Sequence, residues 1–168
     1  MNAALAISKL AITHDPTDFD CDSEELNRFI RLHALAGQRA NISQTYVAVQ
    51  GVEIVGYHTL VVGDVVCGDA PERLAKGLPR YPIPMLLLAR LAVDCPWQGK
   101  GLGAALVVDA MRRTLQVADI AGVRALLVHA GDDAARSFYI HLGFEPFSDE
   151  PLVLYRLVKD FRAMLQKR

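Results

Sequence analysis

Hydrophobic and polar positions follow two different periods along the first half of the chain, and each period predicts one kind of secondary structure. Apolar residues recur at helical offsets over 24–35, and Asp22–Ser23 can cap this helix. β-branched and aromatic residues fill Thr45–Val49 and Val52–Val62 on either side of Gln50–Gly51, which predicts a hairpin. The first half therefore combines a helix with paired strands.

The second half predicts a strand, a helix, a strand and a helix in succession. Nearly continuous apolar residues over Met85–Val93 predict a buried strand, and apolar residues at four-residue intervals predict a helix over Gly103–Ala118. Ala125–Val128 is typical of another strand, and Asp133–Leu142 of a helix that ends at Gly143. Hairpins followed by this unit indicate a mixed α/β (α+β) sheet rather than a doubly wound one. The remaining expected elements are strands at Leu5–Ile12, Glu145–Phe147 and Pro151–Leu157, a helix at Val158–Leu165, and a long loop at Gly68–Pro84 with a short helix near Pro71–Lys76.

The composition restricts the classes of protein to which the chain can belong. A length of 168 residues predicts one domain over residues 1–168, and 52% hydrophobic with 22% charged residues is typical of a globular protein. The apolar runs are too short to cross a bilayer, and the N-terminus lacks the features of a signal peptide, so we expect no membrane partner. A net charge of −1 gives no overall signal for nucleic acid, although a local basic patch remains compatible with it.

The cysteines and histidines give no sign of a metal site or a disulfide framework. Cys21, Cys67 and Cys95 are odd in number and far apart, which favours a reducing cytoplasm. The five histidines do not cluster at metal-ligand spacing. We therefore expect a cytoplasmic protein that needs no metal.

Three glycines lie at alternate positions in the segment QGKGLG, residues 98–103, where the buried strand turns into the next helix. A helix N-terminus carries free N–H groups and partial positive charge, so it binds anions, most often phosphates. Glycines before it allow φ > 0 and let a ligand touch the backbone. The segment therefore predicts a diphosphate cradle. A P-loop would need Ser or Thr after Lys100, and a Rossmann fingerprint would place its third glycine one residue later than Gly103.

This segment resembles the acyl-CoA signature of the GNAT N-acetyltransferases, and AARSFYIHLGF (134–144) resembles the later motif of that family. Three further stretches, FDCDSEELNRFIRLHA (19–34), YPIPMLLLARLAVD (81–94) and GVRALLVHA (122–130), are similar to the TacT/AtaT group of GNAT toxins. The resemblance extends from about Phe19 to Tyr155.

The resemblance implies a GNAT fold, in which a mostly antiparallel sheet is splayed at the acyl-CoA site and flanked by helices. It implies transfer of an acetyl group from acetyl-CoA to a primary amine, which in the toxin group is the α-amino group of an aminoacyl-tRNA. It also implies a homodimer and a ribbon–helix–helix antitoxin partner. Two other functions stay open: an ordinary GNAT enzyme for a small amine or protein N-terminus, and a non-catalytic acyl-CoA-binding module.

Site residues follow from the same resemblance. Tyr139 is the candidate general acid for the departing thiolate, and the backbone N–H of Val93 is the candidate oxyanion donor. Asp132 stands where many relatives have an asparagine that contacts CoA, and a carboxylate there could only accept a hydrogen bond. The expected acetyl-CoA contacts are Leu91, Ala92, Val93, Gln98, Gly99, Lys100, Gly101, Leu102, Gly103, Ala104, Asp132, Ala135 and Phe138.

The candidate bases and cations in the sequence indicate which kind of amine accepts the acetyl group. A lysine amine near pKa ~10.4 would need a general base, whereas an α-amino group near ~8 is already partly neutral. Asp64 and Asp94 are possible bases, but the preferred interpretation is that each ends a strand or lies in a loop. The lack of a dedicated base mildly favours an α-amine over a lysine. Arg28, Arg31 and Arg90 are candidate tRNA contacts, with solvated surface arginines as the alternative.

Overall fold

In the computed structural model, which describes residues 5–65, 69–147 and 149–167, seven strands form one mostly antiparallel sheet in the order β1-β2-β3-β4-β5-β7-β6, flanked by helices. β4 and β5 run parallel, whereas the β1–β2, β2–β3, β5–β7 and β6–β7 pairs are antiparallel. The mixed α/β sheet expected from the sequence is thus confirmed.

The strands are β1 (Ile7–Lys9), β2 (Gln44–Gln50), β3 (Glu53–Val65), β4 (Ile83–Val93), β5 (Ala125–His129), β6 (Glu145–Phe147) and β7 (Glu150–Leu157). The helices are α1 (Glu24–Arg28), α2 (Ala34–Arg39), α3 (Glu72–Ala75), α4 (Leu102–Ile120), α5 (Asp133–His141) and α6 (Val158–Gln166), with a π-helical turn at Phe29–His33 and a 3-10 turn at Cys95–Trp97.

The chain forms two compact units, one from the described residues of 1–61 and 89–110, the other from those of 62–88 and 111–168. The single domain expected over 1–168 stays a prediction. Within the described ranges, no helix combines the length and the apolar character that a bilayer crossing requires.

In the first unit, helix α4 packs directly on strand β3 because Gly56 has no side chain. A Cβ at Gly56 would lie 3.1 Å from both Leu102 Cδ2 and Leu106 Cδ1, which is tighter than ordinary contact. One turn further along α4, Asp109 Oδ2 lies 2.7 Å from Nε2 of the buried His58. These contacts hold the first turns of α4, and with them the loop before the helix, against the sheet.

In the second unit, the first half of β4 pairs with β5, from Met85 opposite Ala125 to Leu88 opposite Val128. β4 itself continues to Val93, beyond this last registered partner on β5. The splay expected at the end of β4 is consistent with this register. The buried core of the unit includes Leu74, Ile83, Met85, Ala125, Tyr155 and Leu157.

Most predicted elements are confirmed to within a few residues, and the main differences have local causes. The helix expected over 24–35 contains the π-helical turn, in which the N–H of Ala34 donates to the carbonyl of Phe29, and then continues to Arg39. The first strand is shorter than expected because Ala11 and His14 form a turn, in which the Ala11 N–H donates to His14 Nδ1. The helix within the expected long loop is confirmed as α3, while Gly68 of that loop and Cys67 lie outside the described residues.

Candidate active site

The loop between β4 and α4 has the geometry of an anion cradle. Gly99 and Gly101 have φ values of +73° and +88°, and nothing lies within 4 Å of where their Cβ atoms would be. The carbonyl of Gly101 accepts the first helical hydrogen bond, from Ala105 N–H at 3.1 Å, so Gly101 caps the helix without a side chain that could accept from the amides after it. Amides that no side chain caps, next to glycines with open space at their Cβ positions, fit a phosphate-bearing ligand. Gly103 lies inside α4 and contributes an amide rather than an unusual backbone conformation.

The side chain of Gln98 turns back onto the strand. Its Nε2 donates to the carbonyl of Val93 at 2.8 Å and lies 3.5 Å from the carbonyl of Cys21. Gln98 therefore braces the end of β4, and the cradle offers its backbone rather than this amide. Lys100 is exposed, with its Nζ 5.8 Å from the centroid of the Trp97 ring, within cation–π range.

Alternate residues of β4 pack on opposite faces, as in any extended strand. Leu91 and Val93 pack against the cluster that contains Leu102 at the start of α4. Ala92 is buried in the other cluster, which contains Phe29. The side chains of Leu91, Ala92 and Val93 therefore pack in the core, and the backbone at the end of β4 is left to contact a ligand.

The backbone amides at the end of β4 point to opposite edges. Asp94 N–H donates to the carbonyl of Val55 on β3 at 2.9 Å. Because successive amides of an extended chain alternate in direction, the N–H of Val93 points to the edge opposite β3. This orientation is the one that an oxyanion donor on β4 requires, and the role itself stays a prediction.

Tyr139 lies on α5 in the second unit, with 5% of its surface exposed. Its ring makes edge contacts with Phe138, at a centroid distance of 5.1 Å, and with Phe144 at 5.4 Å. Burial raises the pKa of its phenol above the ordinary value, because the anion would lose its solvation. The hydroxyl therefore stays protonated at neutral pH, which is the state that a proton donor needs.

Asp132 has a structural role that the sequence analysis missed. It is the N-cap of α5, and its Oδ1 accepts a hydrogen bond from the Ala135 N–H at 2.8 Å. The signal was present, since an aspartate before a helix is a common cap, but the resemblance drew attention to CoA instead. Ala135 and Phe138 are half-buried on the same helix.

Replacing Asp132 by alanine is expected to lower the free energy of unfolding by about 1 kcal/mol, because α5 loses its side-chain cap. Asp132→Asn should retain most of the stability, since an asparagine oxygen also accepts from the N2 or N3 amide. Urea denaturation of the two variants measures the difference. Equal losses in both would contradict the capping role.

The three candidate tRNA-binding arginines lie in different environments. Arg28 is exposed at the end of α1. The guanidinium of Arg31 donates to the carbonyl of Phe19, so this cation also fixes a loop. The Cζ of Arg90 lies 3.8 Å from the centroid of the Phe29 ring.

The two aspartates considered as bases have ordinary structural positions. Oδ1 of Asp94 accepts from the Asp20 N–H at 2.9 Å, and Asp64 is exposed near the end of β3. In the part of the chain that the structure describes, no group of three or more His, Cys, Asp or Glu side chains could hold a metal ion. The expectation that no metal is needed stays a prediction.

Comparison with known proteins identifies the family. The acetyltransferase (GNAT) domain matches residues 41–146. A tRNA-acetylating toxin of Mycobacterium tuberculosis is 40% identical over 165 residues, which is 98% of this chain and 99% of the toxin. The solved structure of AtaT complexed with acetyl-methionyl-tRNAfMet has a TM-score of 0.89 and 30% identity, over 96% of this chain and 99% of AtaT.

A second solved structure is similar over almost the whole chain. It is a tyrosine-to-phenylalanine mutant of the AtaT toxin bound to the C-terminus of the antitoxin AtaR and acetyl-CoA, with a TM-score of 0.82 and 28% identity over 96% of this chain and 98% of that one. The GNAT fold expected from the motifs is confirmed by these similarities. Because the domain match covers more than half of the sequence and the mycobacterial relative aligns over nearly all of it, the chain belongs to the GNAT acetyltransferase family.

Proposed function

We propose that this protein transfers the acetyl group of acetyl-CoA to the α-amino group of aminoacyl-tRNA, and that it acts as a translation-blocking toxin. The observation that carries the proposal is the glycine cradle before α4, whose cap residue Gly101 has no side chain, in a chain 40% identical to a tRNA-acetylating toxin over nearly its full length. Acetyl-CoA is the cosubstrate that such a cradle fits.

The amides of residues 99–104 hold the diphosphate of acetyl-CoA, and Lys100 adds a positive charge. The N–H of Gln98 itself donates to the carbonyl of Cys95 at 3.2 Å. The thioester lies along Leu91–Val93, where the N–H of Val93 donates to the oxyanion that forms when the amine attacks the carbonyl carbon. Donors already in place stabilise this charge without reorganisation.

Collapse of the tetrahedral intermediate re-forms the carbonyl and breaks the C–S bond. The thiolate leaves and takes a proton from the hydroxyl of Tyr139, and the new amide nitrogen loses one proton to solvent. The tyrosinate then takes one proton back from solvent, which restores the tyrosine. Ala135 and Phe138 on α5 contribute contacts to the pantetheine arm.

An amine that is already partly neutral suits this site. The carboxylate of Asp94 is engaged by the Asp20 N–H, and Asp64 lies exposed near the end of β3. An α-amino group near pKa ~8 needs less help from a base than a lysine near ~10.4. The site therefore favours an aminoacyl ester over a lysine side chain.

The partners and location belong to the same proposal. AtaT is known in complex with its antitoxin AtaR, and we propose an antitoxin of the ribbon–helix–helix class for this chain. In this proposal the protein is a cytoplasmic homodimer: the resemblance to the toxin group implies the dimer, and aminoacyl-tRNA and acetyl-CoA are cytoplasmic substrates.

Incubation with labelled acetyl-CoA and bulk charged tRNA tests the function. Label is expected in the α-amide of aminoacyl-tRNA, with release of CoA. Label that enters only small amines or peptide N-termini would support an ordinary GNAT enzyme. Binding of acetyl-CoA without any release of CoA would support a non-catalytic module.

Activity on aminoacyl-tRNA is expected to fall steeply between low and moderate salt, because phosphate contacts release counterions. Arg28→Ala should reduce the slope of log kcat/KM against log salt by about 1, since one phosphate contact is removed. Lys159→Ala, a change of another exposed cation on α6, serves as the control and should leave the slope unchanged. A flat salt profile of the wild type would contradict the basic patch.

A further inference from the structure

A cavity of about 520 Å³ opens in the first unit between the α1–α2 segment and the sheet. Apolar and small side chains line most of this cavity, and the guanidinium of Arg90 forms part of its wall. The residues that matter here are Phe29, His33, Ala36, Ser43, Val61 and Arg90.

Arg90 is held in this wall by an aromatic ring rather than by an acid. Its Cζ lies 3.8 Å from the centroid of Phe29, which is 9% exposed. Across residues 5–65, 69–147 and 149–167, no carboxylate lies within ion-pair distance of the Arg90 guanidinium. A guanidinium that covers a ring on one face keeps its second face and its N–H edge for another planar or anionic group.

The cavity lies close to the candidate reacting strand. Arg90 precedes Val93 by three residues on β4, which is about 10 Å at 3.3 Å per residue. In a 3′-aminoacyl adenosine, the ester and the ribose separate the α-amine from the adenine by a span of comparable length. An amine near Val93 therefore places the adenine within reach of this cavity.

The chemistry of the wall matches an unstacked base. Single-stranded RNA ends are recognised by stacking on aromatic rings or on arginine guanidinium planes, with hydrogen bonds to the base edge. The Phe29–Arg90 stack supplies the plane, and His33 and Ser43 supply polar groups in the same cavity. A purely apolar ligand in this cavity would use neither the stacking plane nor the polar groups.

We propose that this cavity binds the 3′-terminal adenosine of the acceptor, with the adenine stacked on the outer face of the Arg90 guanidinium. The inference rests on the proposed function and deepens it. It makes the terminal nucleoside, which every aminoacyl-tRNA shares, a recognition element that is independent of the amino acid.

The test compares two small substrates, an aminoacyl adenosine ester and the methyl ester of the same amino acid, neither of which carries tRNA phosphates. The wild type is expected to prefer the adenosine ester at least tenfold in kcat/KM, the order of effect of one stacked base. Arg90→Lys keeps the charge and loses the plane, so it should reduce this preference about tenfold with an unchanged KM for acetyl-CoA.

Ala36→Leu provides a second variant that does not touch Arg90. Ala36 is exposed on α2, and leucine is a good helix former there, so the variant should fold while it fills the cavity. It should also reduce the preference for the adenosine ester. Arg112→Lys, the same change at an exposed position of α4, is the matched control and should keep the preference.

The outcomes separate this inference from the proposed function. A wild type without preference for the adenosine ester, or an equal loss on both esters in Arg90→Lys, overturns the adenosine site. If aminoacyl-tRNA is still acetylated in that case, the proposed function stands. If neither ester nor aminoacyl-tRNA is acetylated, the result contradicts the proposed function, on which the adenosine site rests.

Discussion

Tyr139→Phe is expected to lower kcat roughly 100-fold or more, because one positioned acid contributes about 10²–10⁴-fold to a proton-transfer step. The change removes only the hydroxyl and keeps the ring that packs between Phe138 and Phe144. Binding of acetyl-CoA and the folded structure should therefore stay close to those of the wild type. Steady-state kinetics with aminoacyl-tRNA, together with calorimetric titration of acetyl-CoA, measures both properties.

Tyr155→Phe is the matched control for this prediction. Tyr155 is also a buried tyrosine of the second unit, and burial raises the pKa of its phenol as it does for Tyr139. It packs in the core with Leu74 and Ile83, and we expect kcat to change little. If both variants lost the same fraction of kcat, the hydroxyl of Tyr139 would be a packing group and its acid role would be wrong.

The pH profile gives an independent check of the same residue. Burial puts the folded-state pKa of Tyr139 above the value of about 10 that an unfolded tyrosine has. Its contribution to stability is therefore complete below about pH 10 and is lost as the pH rises from there through the folded-state pKa. The rate should rise as the substrate amine loses its proton, without a fall near pH 10. A fall well below pH 10 would require another group as the acid.

Gly101→Ala is expected to weaken CoA binding roughly 100-fold or more. The backbone at Gly101 has φ +88°, so a Cβ strains the turn that presents the amides of α4. A loss of two hydrogen bonds to a charged group, at about 1.5–3 kcal/mol each, corresponds to at least that factor. Calorimetric titration with CoA measures the change.

Gly51→Ala separates backbone strain from ligand binding. Gly51, in the turn between β2 and β3, has φ +66°, and both glycines have open space where a Cβ would lie. Both substitutions should therefore lower the free energy of unfolding by a similar amount, about 1–2 kcal/mol. Only Gly101→Ala should weaken CoA binding. If CoA bound both variants as it binds the wild type, the diphosphate would lie elsewhere.

Long strands and helices could be predicted from the sequence because many residues in each follow the same spacing of apolar positions. The buried strand before the cradle and helix α4 are confirmed with boundaries shifted by one or two residues. The left-handed backbone of Gly99 and Gly101 also follows from the position of glycines between a strand and a helix. Gly103, predicted as the first residue of the helix, lies one residue inside it.

Contacts between side chains and distant backbone groups could not be predicted in the same way. Gln98 belongs to the CoA signature, yet its amide binds the carbonyl of Val93. Arg31 looked like a surface cation, yet it reaches back to the carbonyl of Phe19, 12 residues earlier. Such partners are decided by how the chain returns on itself, which no local pattern records.

The π-helical turn at Phe29–His33 has a consequence for insertions and deletions. Such a turn accommodates one extra residue in a helix, and one residue corresponds to about 100° of helical rotation. Removal of the exposed Leu32 would therefore convert the turn to ordinary α-helix and leave α2 nearly in phase with α1, whereas the same deletion in a regular α-helix would rotate all that follows by about 100°. Ala36 would keep its place in the cavity wall, so we expect this turn to tolerate a one-residue deletion better than a regular helix does.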